Sequence, residues 1–460
     1  MLKACAFVIN YIVDMGASVM LPVVIAILSI VVGVKVGKAI RSGLMIGVGF
    51  VGLSLIVNLM NDNLGPAAKA MSKNFGLTLS VVDIGWPGAS PMTWASNIAT
   101  VAIPVAIGVN ILMLILKLTR TVNVDIWNIW HMAFTGAICY TVTGSFGLGI
   151  LGVVVHAVLA YKLGDLFAPI ATDYFEIEGL TVPHGTSVVM MPYASFADWV
   201  FDKIPKVRDI DVSANTLQEK VGVFAEPVVI GFILGTAIGF LAGYPVNKAL
   251  PLGVNMSAVM VLMPKIVKCI MDGLMPLSER AKEIMNERFQ GEQYYIGLDP
   301  AILLGDPTVV TAGLIFIPLT LLIAVIVPGN QVLPFGDLAT IGFFIAGAVG
   351  MHKGNLFRTL FSGSLIMFVT IWIANQTVGW MTKMAHMTGT LTGKGFVAAL
   401  DQGGNPISYV YTNLVSGQNL IPTLVIGATY IGCWLFTIHQ SKQRAAAIKL
   451  AEEAEYEEYE

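Results

Sequence analysis

One stretch of this chain places two carboxylates, an imidazole and three hydroxyls between apolar flanks: Glu176-Ile177-Glu178-Gly179-Leu180-Thr181-Val182-Pro183-His184-Gly185-Thr186-Ser187. A base within hydrogen-bond reach of a hydroxyl can take its proton, and His184 and Glu178 fit that role chemically. Thr186 adds a donor and an acceptor. Ordinary loop pairing is the plainer reading of the same residues. A second segment, Val82-Asp83-Ile84-Gly85-Trp86-Pro87-Gly88-Ala89-Ser90-Pro91-Met92-Thr93-Trp94, is interrupted by two prolines and the Gly85/Gly88 pair, and it offers Trp86 and Thr93. A third, Gly297-Leu298-Asp299-Pro300-Ala301-Ile302-Leu303-Leu304-Gly305-Asp306-Pro307-Thr308, holds Asp299 and Asp306 in two Asp-Pro steps. Asp306 and Thr308 are also natural helix N-caps. A fourth, Gln402-Gly403-Gly404-Asn405-Pro406, offers Asn405. His131 sits inside an apolar run, Trp127-Asn128-Ile129-Trp130-His131-Met132, either as a ligand or as a buried hydrogen-bonder. Carboxylate, amide and imidazole groups with an aromatic face against C–H bonds are what recognition of a small polyhydroxy solute requires.

The elements that must hold these groups are membrane helices. Of 460 residues, 56% are hydrophobic and 12% are charged, against about 25% charged in a soluble domain. The mean hydropathy is +0.77. Eleven apolar segments read as spans, at 18–34, 43–60, 97–116, 127–144, 146–164, 222–242, 253–271, 309–327, 338–351, 357–378 and 420–438. The four chemically equipped segments lie between spans or interrupt them. Non-helical backbone at membrane depth survives only where it lines a cavity or is buried in protein, and intramembrane carboxylates are functional by default.

The chain also repeats. Val36-Gly37-Lys38-Ala39-Ile40 returns as Val246-Asn247-Lys248-Ala249-Leu250, Ile84-Gly85 as Ile296-Gly297, Pro104 as Pro318 and Asp125 as Asp337, at a spacing of about 212 residues. Basic clusters around Lys35, Lys117, Lys203, Arg208, Lys220, Arg280, Lys353 and Lys442 fall on alternate connections, which puts the N-terminus outside and the C-terminus inside. Lys69, Lys73, Lys248, Lys383 and Lys394 are exceptions to this pattern. Five spans per unit is an odd number, so the two units enter the membrane from opposite sides as an inverted repeat. The expected fold is an all-α polytopic membrane protein with re-entrant hairpins. Its expected parts are residues 1–220 as the first repeat with a cytoplasmic hairpin segment, 221–415 as the inverted second repeat, 416–440 as an extra helix, and 441–460 as an acidic cytoplasmic tail, disordered from Ala451 to Glu460. Within the polar stretch Asp272–Gln293, residues 278–285 read as a surface helix. The first break offers Trp86 and Thr93 and the second Asp299 and Asp306, so the departures from symmetry are where a solute is expected.

Several functions are excluded. No P-loop, nucleophile elbow or dinucleotide fingerprint occurs, and no histidine spacing suits a metal, so neither a cofactor nor a metal is expected. His156, His352, His386 and His439 read as peripheral. The four cysteines, Cys5, Cys139, Cys269 and Cys433, are far apart and read as inert. A net charge of −3 without a basic aromatic patch gives no sign of nucleic acid. No cleavable signal peptide is evident, so the first apolar run reads as a retained span.

The Asp83-Ile84-Gly85-Trp86-Pro87 segment, the Glu176-Ile177-Glu178-Gly179 and Pro183-His184-Gly185-Thr186 segment, and Gly297-Leu298-Asp299-Pro300 with Gly305-Asp306-Pro307-Thr308 together resemble the galactitol-type enzyme IIC subunits of the bacterial phosphoenolpyruvate-dependent sugar phosphotransferase system. The likeness extends through the last span. It implies a multi-pass inner-membrane permease related to the ascorbate-type subunits, homodimeric, with a scaffold domain and a core domain that moves like an elevator. It implies galactitol or a related polyol as solute, and release as galactitol 1-phosphate after phosphorylation by a phosphocysteine on a separate IIB protein, itself charged through IIA and HPr. The solute would meet Trp86, Thr93, His131, His184, Thr186, Asp299, Asp306 and Asn405. Two other readings stay open on the residues alone. In an ion- or proton-coupled symporter, Asp299 or Asp306 would bind the ion. A non-transporting membrane scaffold would leave the matched breaks without purpose.

Overall fold

A computed structural model of the chain describes residues 17–76, 79–213, 223, 226–288, 294–334, 336–389, 391 and 395–459. Cys5, Lys220 and Lys394 lie outside these residues. In chain order the helices are α1 (Ala17–Val31), α2 (Val36–Asn74), α3 (Gly85–Trp94), α4 (Ala99–Ile115), α5 (Ile126–Thr143), α6 (Phe146–Asp173), α7 (Met191–Lys203) and α8 (Pro227–Leu241). They continue with α9 (Val246–Arg288), α10 (Pro307–Ile326), α11 (Ile341–Met351), α12 (Leu356–Gln376), α13 (Val378–Met387), α14 (Pro406–Ser416) and α15 (Leu420–Tyr459).

Each of the eleven apolar segments falls on a helix. Among the described residues, four helical stretches, Phe146–Asp173, Pro307–Ile326, Leu356–Gln376 and Leu420–Lys442, are both long and apolar enough to cross a bilayer. Large apolar side chains stand exposed on helix faces, among them Leu44 at 66%, Leu55 at 66% and Ile421 at 79%. Exposed apolar surface on this scale calls for lipid or a partner rather than water.

The long helices α2 and α9 pack on each other and on the hairpin partners α1 and α8. Their close approach uses glycine: a Cβ on Gly52 would lie 2.7 Å from Ile266 Cδ1, and one on Gly273 would lie 2.7 Å from Ile46 Cγ1. Small residues let backbones approach where the surrounding medium is as apolar as the side chains. A second apolar core lies between α3, α4, α5, α6 and α13 around Ala106, Phe134, Ala157 and Tyr161.

Four expectations need correction. The chain is mostly helical rather than helical throughout: among the described residues it carries six short strands, β1 (Val81–Asp83), β2 (Thr121–Asn123), β3 (Leu180–Thr181), β4 (Tyr295–Gly297), β5 (Val332–Leu333) and β6 (Val397–Ala398), in two parallel sheets ordered β5-β1-β6 and β2-β4-β3. The backbone that breaks the helices still has to satisfy its N–H and C=O groups away from water, and the strands do that. The acidic tail continues α15 to Tyr459, since its Ala, Glu, Lys and Gln are strong helix formers. Residues 278–285 are the end of α9, not a separate surface helix. His156 and His352 are buried, at 0% and 4% exposure, not peripheral.

The breaks themselves differ in form. The first is extended only up to Ile84, after which Gly85 starts the short helix α3 with Pro91 inside it. The second follows β4 with a 3-10 turn, Pro300–Gly305, before α10 begins.

Candidate functional site

Each broken segment is clamped by the opposite half of the chain. β1, ahead of the first break, lies between β5 and β6, both from the second half: Val81 pairs with Val332, and Val82 with Val397. β4, ahead of the second break, lies between β2 and β3, both from the first half: Val122 and Leu180 both pair with Ile296.

Buried carboxylates tie the same crossings. Asp125 is the N-cap of α5, where Oδ1 accepts from Trp127 N at 2.9 Å, and its Oδ2 accepts from Asp299 N at 3.0 Å. Asp337 accepts from Trp86 N at 2.9 Å and from Asp401 N at 2.8 Å. Asp83 accepts from Gly85 N and Leu400 N at 2.9 Å each, and from Asp337 N at 3.1 Å. Gly85 has φ +61, and a Cβ there would lie 2.8 Å from Asp337 Oδ1, so only glycine fits this crossing.

The clamps bring four loop ends together around two histidines. His184 follows β3, and its Nδ1 accepts from the backbone N–H of Thr186 at 3.3 Å and of Ser187 at 3.4 Å. With Nδ1 the acceptor, the neutral ring carries its proton on Nε2. That atom lies 3.7 Å from Asp299 Oδ2. Asp299 Oδ1 is occupied as the cap of the 3-10 turn, accepting from Ala301 N at 2.8 Å. His131, on α5, repeats the arrangement: Nδ1 accepts from Gly185 N at 3.4 Å, and Nε2 lies 3.6 Å from Asp401 Oδ2. The two rings meet edge to face with centroids 4.0 Å apart.

The surrounding amides and the Thr186 hydroxyl are paired. Thr186 Oγ1 donates to Asp401 Oδ1 in a short bond and accepts from Gln402 Nε2 at 3.3 Å. Asn405 caps α14, where Oδ1 accepts from Ile407 N at 2.8 Å, and its Nδ2 donates to Gly185 O at 2.7 Å. His131, Thr186, His184, Asp401, Gln402 and Asn405 are all nearly closed to solvent. Both His–Asp separations exceed a direct hydrogen bond. Each gap faces an imidazole nitrogen and a carboxylate oxygen; His131 Nε2 also has Thr186 Oγ1 at 3.5 Å, and the buried Ser187 Oγ has no hydrogen-bond partner among the described residues.

Of the residues singled out by type and spacing, His131, His184, Thr186, Asp299 and Asn405 converge here. Trp86 is half-buried and packs edge-on against Trp127 at 5.9 Å, one turn before His131 on α5. Thr93 is buried and donates to Ala89 O at 2.8 Å within its own helix. Asp306 caps α10, accepting from Thr308 N at 2.8 Å and Val309 N at 3.1 Å. Glu178 is exposed just ahead of β3.

A family model described as "PTS system sugar-specific permease component" matches residues 11–437. The chain is 56% identical over 424 residues to "PTS system galactitol-specific EIIC component" of Escherichia coli (strain K12), covering 92% of this chain and 94% of that protein. It is 36% identical over 408 residues to "Putative permease IIC component" of the same strain, covering 88% and 93%. The chain belongs to the sugar-specific permease components of the PTS.

Sequence reasoning missed four carboxylates of this permease component's site region. Asp401 went unnoticed although it directly precedes Gln402. Asp125 and Asp337 were visible only as matching positions of the repeat, and Asp83 was passed over although it opens the first broken segment. The available signal was the same in each case: a lone carboxylate beside apolar residues at a helix break, where desolvation is costly unless backbone N–H groups surround it. A permease of this kind needs a polar seat built from rigid elements and closed to water, and two opposed His–Asp gaps fed by backbone N–H groups can hold a chain of solute hydroxyls.

Proposed function

We propose that this permease component binds galactitol at the His131–Asp401 and His184–Asp299 gaps and carries it inward, where the partner IIB phosphorylates it. The observation that carries the reading is the pair of His–Asp gaps at 3.6 and 3.7 Å, where a hydroxyl can accept from an imidazole and donate to a carboxylate, at His131 in place of the long 3.5 Å contact with Thr186 Oγ1. Trp86 and Trp127 supply apolar surface toward the C–H side.

The sequence-based choice of base, His184 or Glu178, shifts in this proposal to Asp299. His184 Nε2 carries a proton and cannot take another there, whereas Asp299 Oδ2 makes no hydrogen bond within the cluster. In the reaction, the terminal hydroxyl oxygen of galactitol forms a bond to the phosphorus of the IIB phosphocysteine. The P–S bond breaks, the cysteine leaves as thiolate, and the hydroxyl proton passes to Asp299. The added charge makes galactitol 1-phosphate a poor ligand for a site built around carboxylates, so uptake runs one way.

The wider assembly belongs to the same proposal. Residues 1–220 and 221–415 form inverted repeats of five spans, 416–440 an eleventh span, and 441–460 a cytoplasmic end, with the N-terminus periplasmic. The exchange of strands between the halves supports two equivalent units meeting at one central site. The packing of α1, α2, α8 and α9 as one group supports a homodimeric scaffold against which the core moves as an elevator. The protein sits in the inner membrane and works with IIB and IIA. Uptake of labelled galactitol in cells lacking IIB tests the coupling. Negligible accumulation is expected, and full gradient-driven accumulation would favour an ion- or proton-coupled symporter.

A further inference from the structure

A cavity of about 600 Å³ opens beside the N-terminal end of the β2-β4-β3 sheet, and nothing in the uptake reaction above uses it. Lys117, Arg120 and Lys162 line it, together with the hydroxyls of Ser195, Thr437 and Ser441. The turn that carries the cations is built rather than loose. Asp165, nearly buried, accepts from Thr119 Oγ1 at 2.8 Å, from Arg120 N and Thr121 Oγ1 at 2.9 Å, and from Lys162 Nζ at 2.9 Å. Lys162 Nζ also donates to Leu118 O at 2.8 Å. The Arg120 guanidinium lies over the Tyr295 ring, 5.4 Å from its centroid.

The short strand β4 lies between the cavity and the solute site in sequence: Tyr294 lines the cavity, and Asp299 follows five residues on. The cavity's volume is that of a small-molecule pocket. Two carboxylates, Asp165 and Asp173, also line the cavity, and three cations against two carboxylates leave it one positive charge in excess, which with its hydroxyls suits a phosphate monoester carried on a polyol.

We infer that this cavity is a release site for the phosphorylated product, holding its phosphate at Lys117, Arg120 and Lys162 after the sugar alcohol has left the His–Asp gaps. The inference rests on the proposed phosphorylation. Its site, however, is separate from the solute site and can fail separately.

The test is titration of the purified full-length chain with galactitol 1-phosphate, with galactitol as the reference ligand, in phosphatidylcholine nanodiscs with and without phosphatidylglycerol. Wild type binds both ligands. Lys117→Gln combined with Arg120→Gln weakens galactitol 1-phosphate at least tenfold and leaves galactitol within twofold, which also certifies the fold. Asp299→Asn does the reverse. Unchanged galactitol 1-phosphate binding in the double variant overturns the inference, as does its loss in Asp299→Asn. Loss of phosphorylated-IIB binding alone in the double variant assigns the cations to the partner, and abolition of binding by phosphatidylglycerol assigns them to lipid headgroups; either result overturns the inference. Absence of galactitol binding to wild type instead overturns the solute reading.

Discussion

Asp125 and Asp337 occupy equivalent positions in the two halves, and each holds the backbone of the opposite break: Asp125 accepts from Asp299 N at 3.0 Å, and Asp337 from Trp86 N at 2.9 Å. Each also accepts a second backbone N–H, from Trp127 and Asp401 respectively. Removing either carboxylate strands two buried donors, each costing about 1–3 kcal/mol. Asp125→Ala and Asp337→Ala are therefore each expected to lose about 2 kcal/mol or more, and the Asn variants, which keep one acceptor oxygen, about half as much. Thermal unfolding in detergent measures this. An alanine variant as stable as wild type would contradict the clamp.

Gly185 presses its backbone against His131, where an added Cβ would lie 2.7 Å from His131 Cβ and 2.9 Å from its Cγ. Gly185→Ala should displace the ring and weaken galactitol binding at least tenfold. Gly108→Ala, where nothing lies within 4 Å, should leave binding unchanged. Equilibrium binding of labelled galactitol to both variants checks the contrast.

Much of the fold was legible from hydropathy. All eleven apolar segments contain helices, because a helix that meets lipid must be apolar along its length. The strands were not legible. Val332–Leu333 and Val397–Ala398 are too short for any alternation to register, and their pairing with β1 depends on a crossing of the two halves that no local pattern encodes. The cluster around His131 and His184 was legible where a polar residue interrupts an apolar context. Asp306 stands apart from it, its carboxylate accepting from two N–H groups of its own helix start. Type and spacing alone could not separate Asp299 from Asp306: both precede proline, and only Asp299 faces a histidine.

That difference is testable. Asparagine caps a helix about as well as aspartate. Asp306→Asn should keep near wild-type uptake, while Asp306→Ala should lose about 1 kcal/mol of stability with galactitol affinity intact. A large loss of affinity in Asp306→Asn would return this residue to the solute site.

A separate network joins α7 to α12. Asp198 accepts from His352 Nδ1 at 2.9 Å and Arg358 Nη1 at 2.7 Å. Burial pushes the Asp198 carboxyl up, but His352 and Arg358 outweigh it and hold it below the ordinary carboxylate value. Because the folded value is depressed, the stabilisation is present above the unfolded carboxylate pKa and is lost as pH falls through the folded value. Asp198→Asn should be destabilised by about 2 kcal/mol at neutral pH, and its deficit should shrink as the pH is lowered into the acid range. Melting curves at several pH values report this. A deficit independent of pH would show that the carboxylate charge is not what ties these helices.

The central claim is that one solute is held jointly by two His–Asp pairs, His131–Asp401 and His184–Asp299, each of which joins the two halves of the chain. Its most direct test is equilibrium binding of galactitol to Asp299→Asn, Asp401→Asn and the double variant, in the absence of IIB. A hydrogen bond to a charged group contributes about 1.5–3 kcal/mol, so each single variant should weaken binding about tenfold or more. The double variant should abolish measurable binding, with all three proteins melting as folded permeases. Wild-type affinity in either single variant would contradict the account.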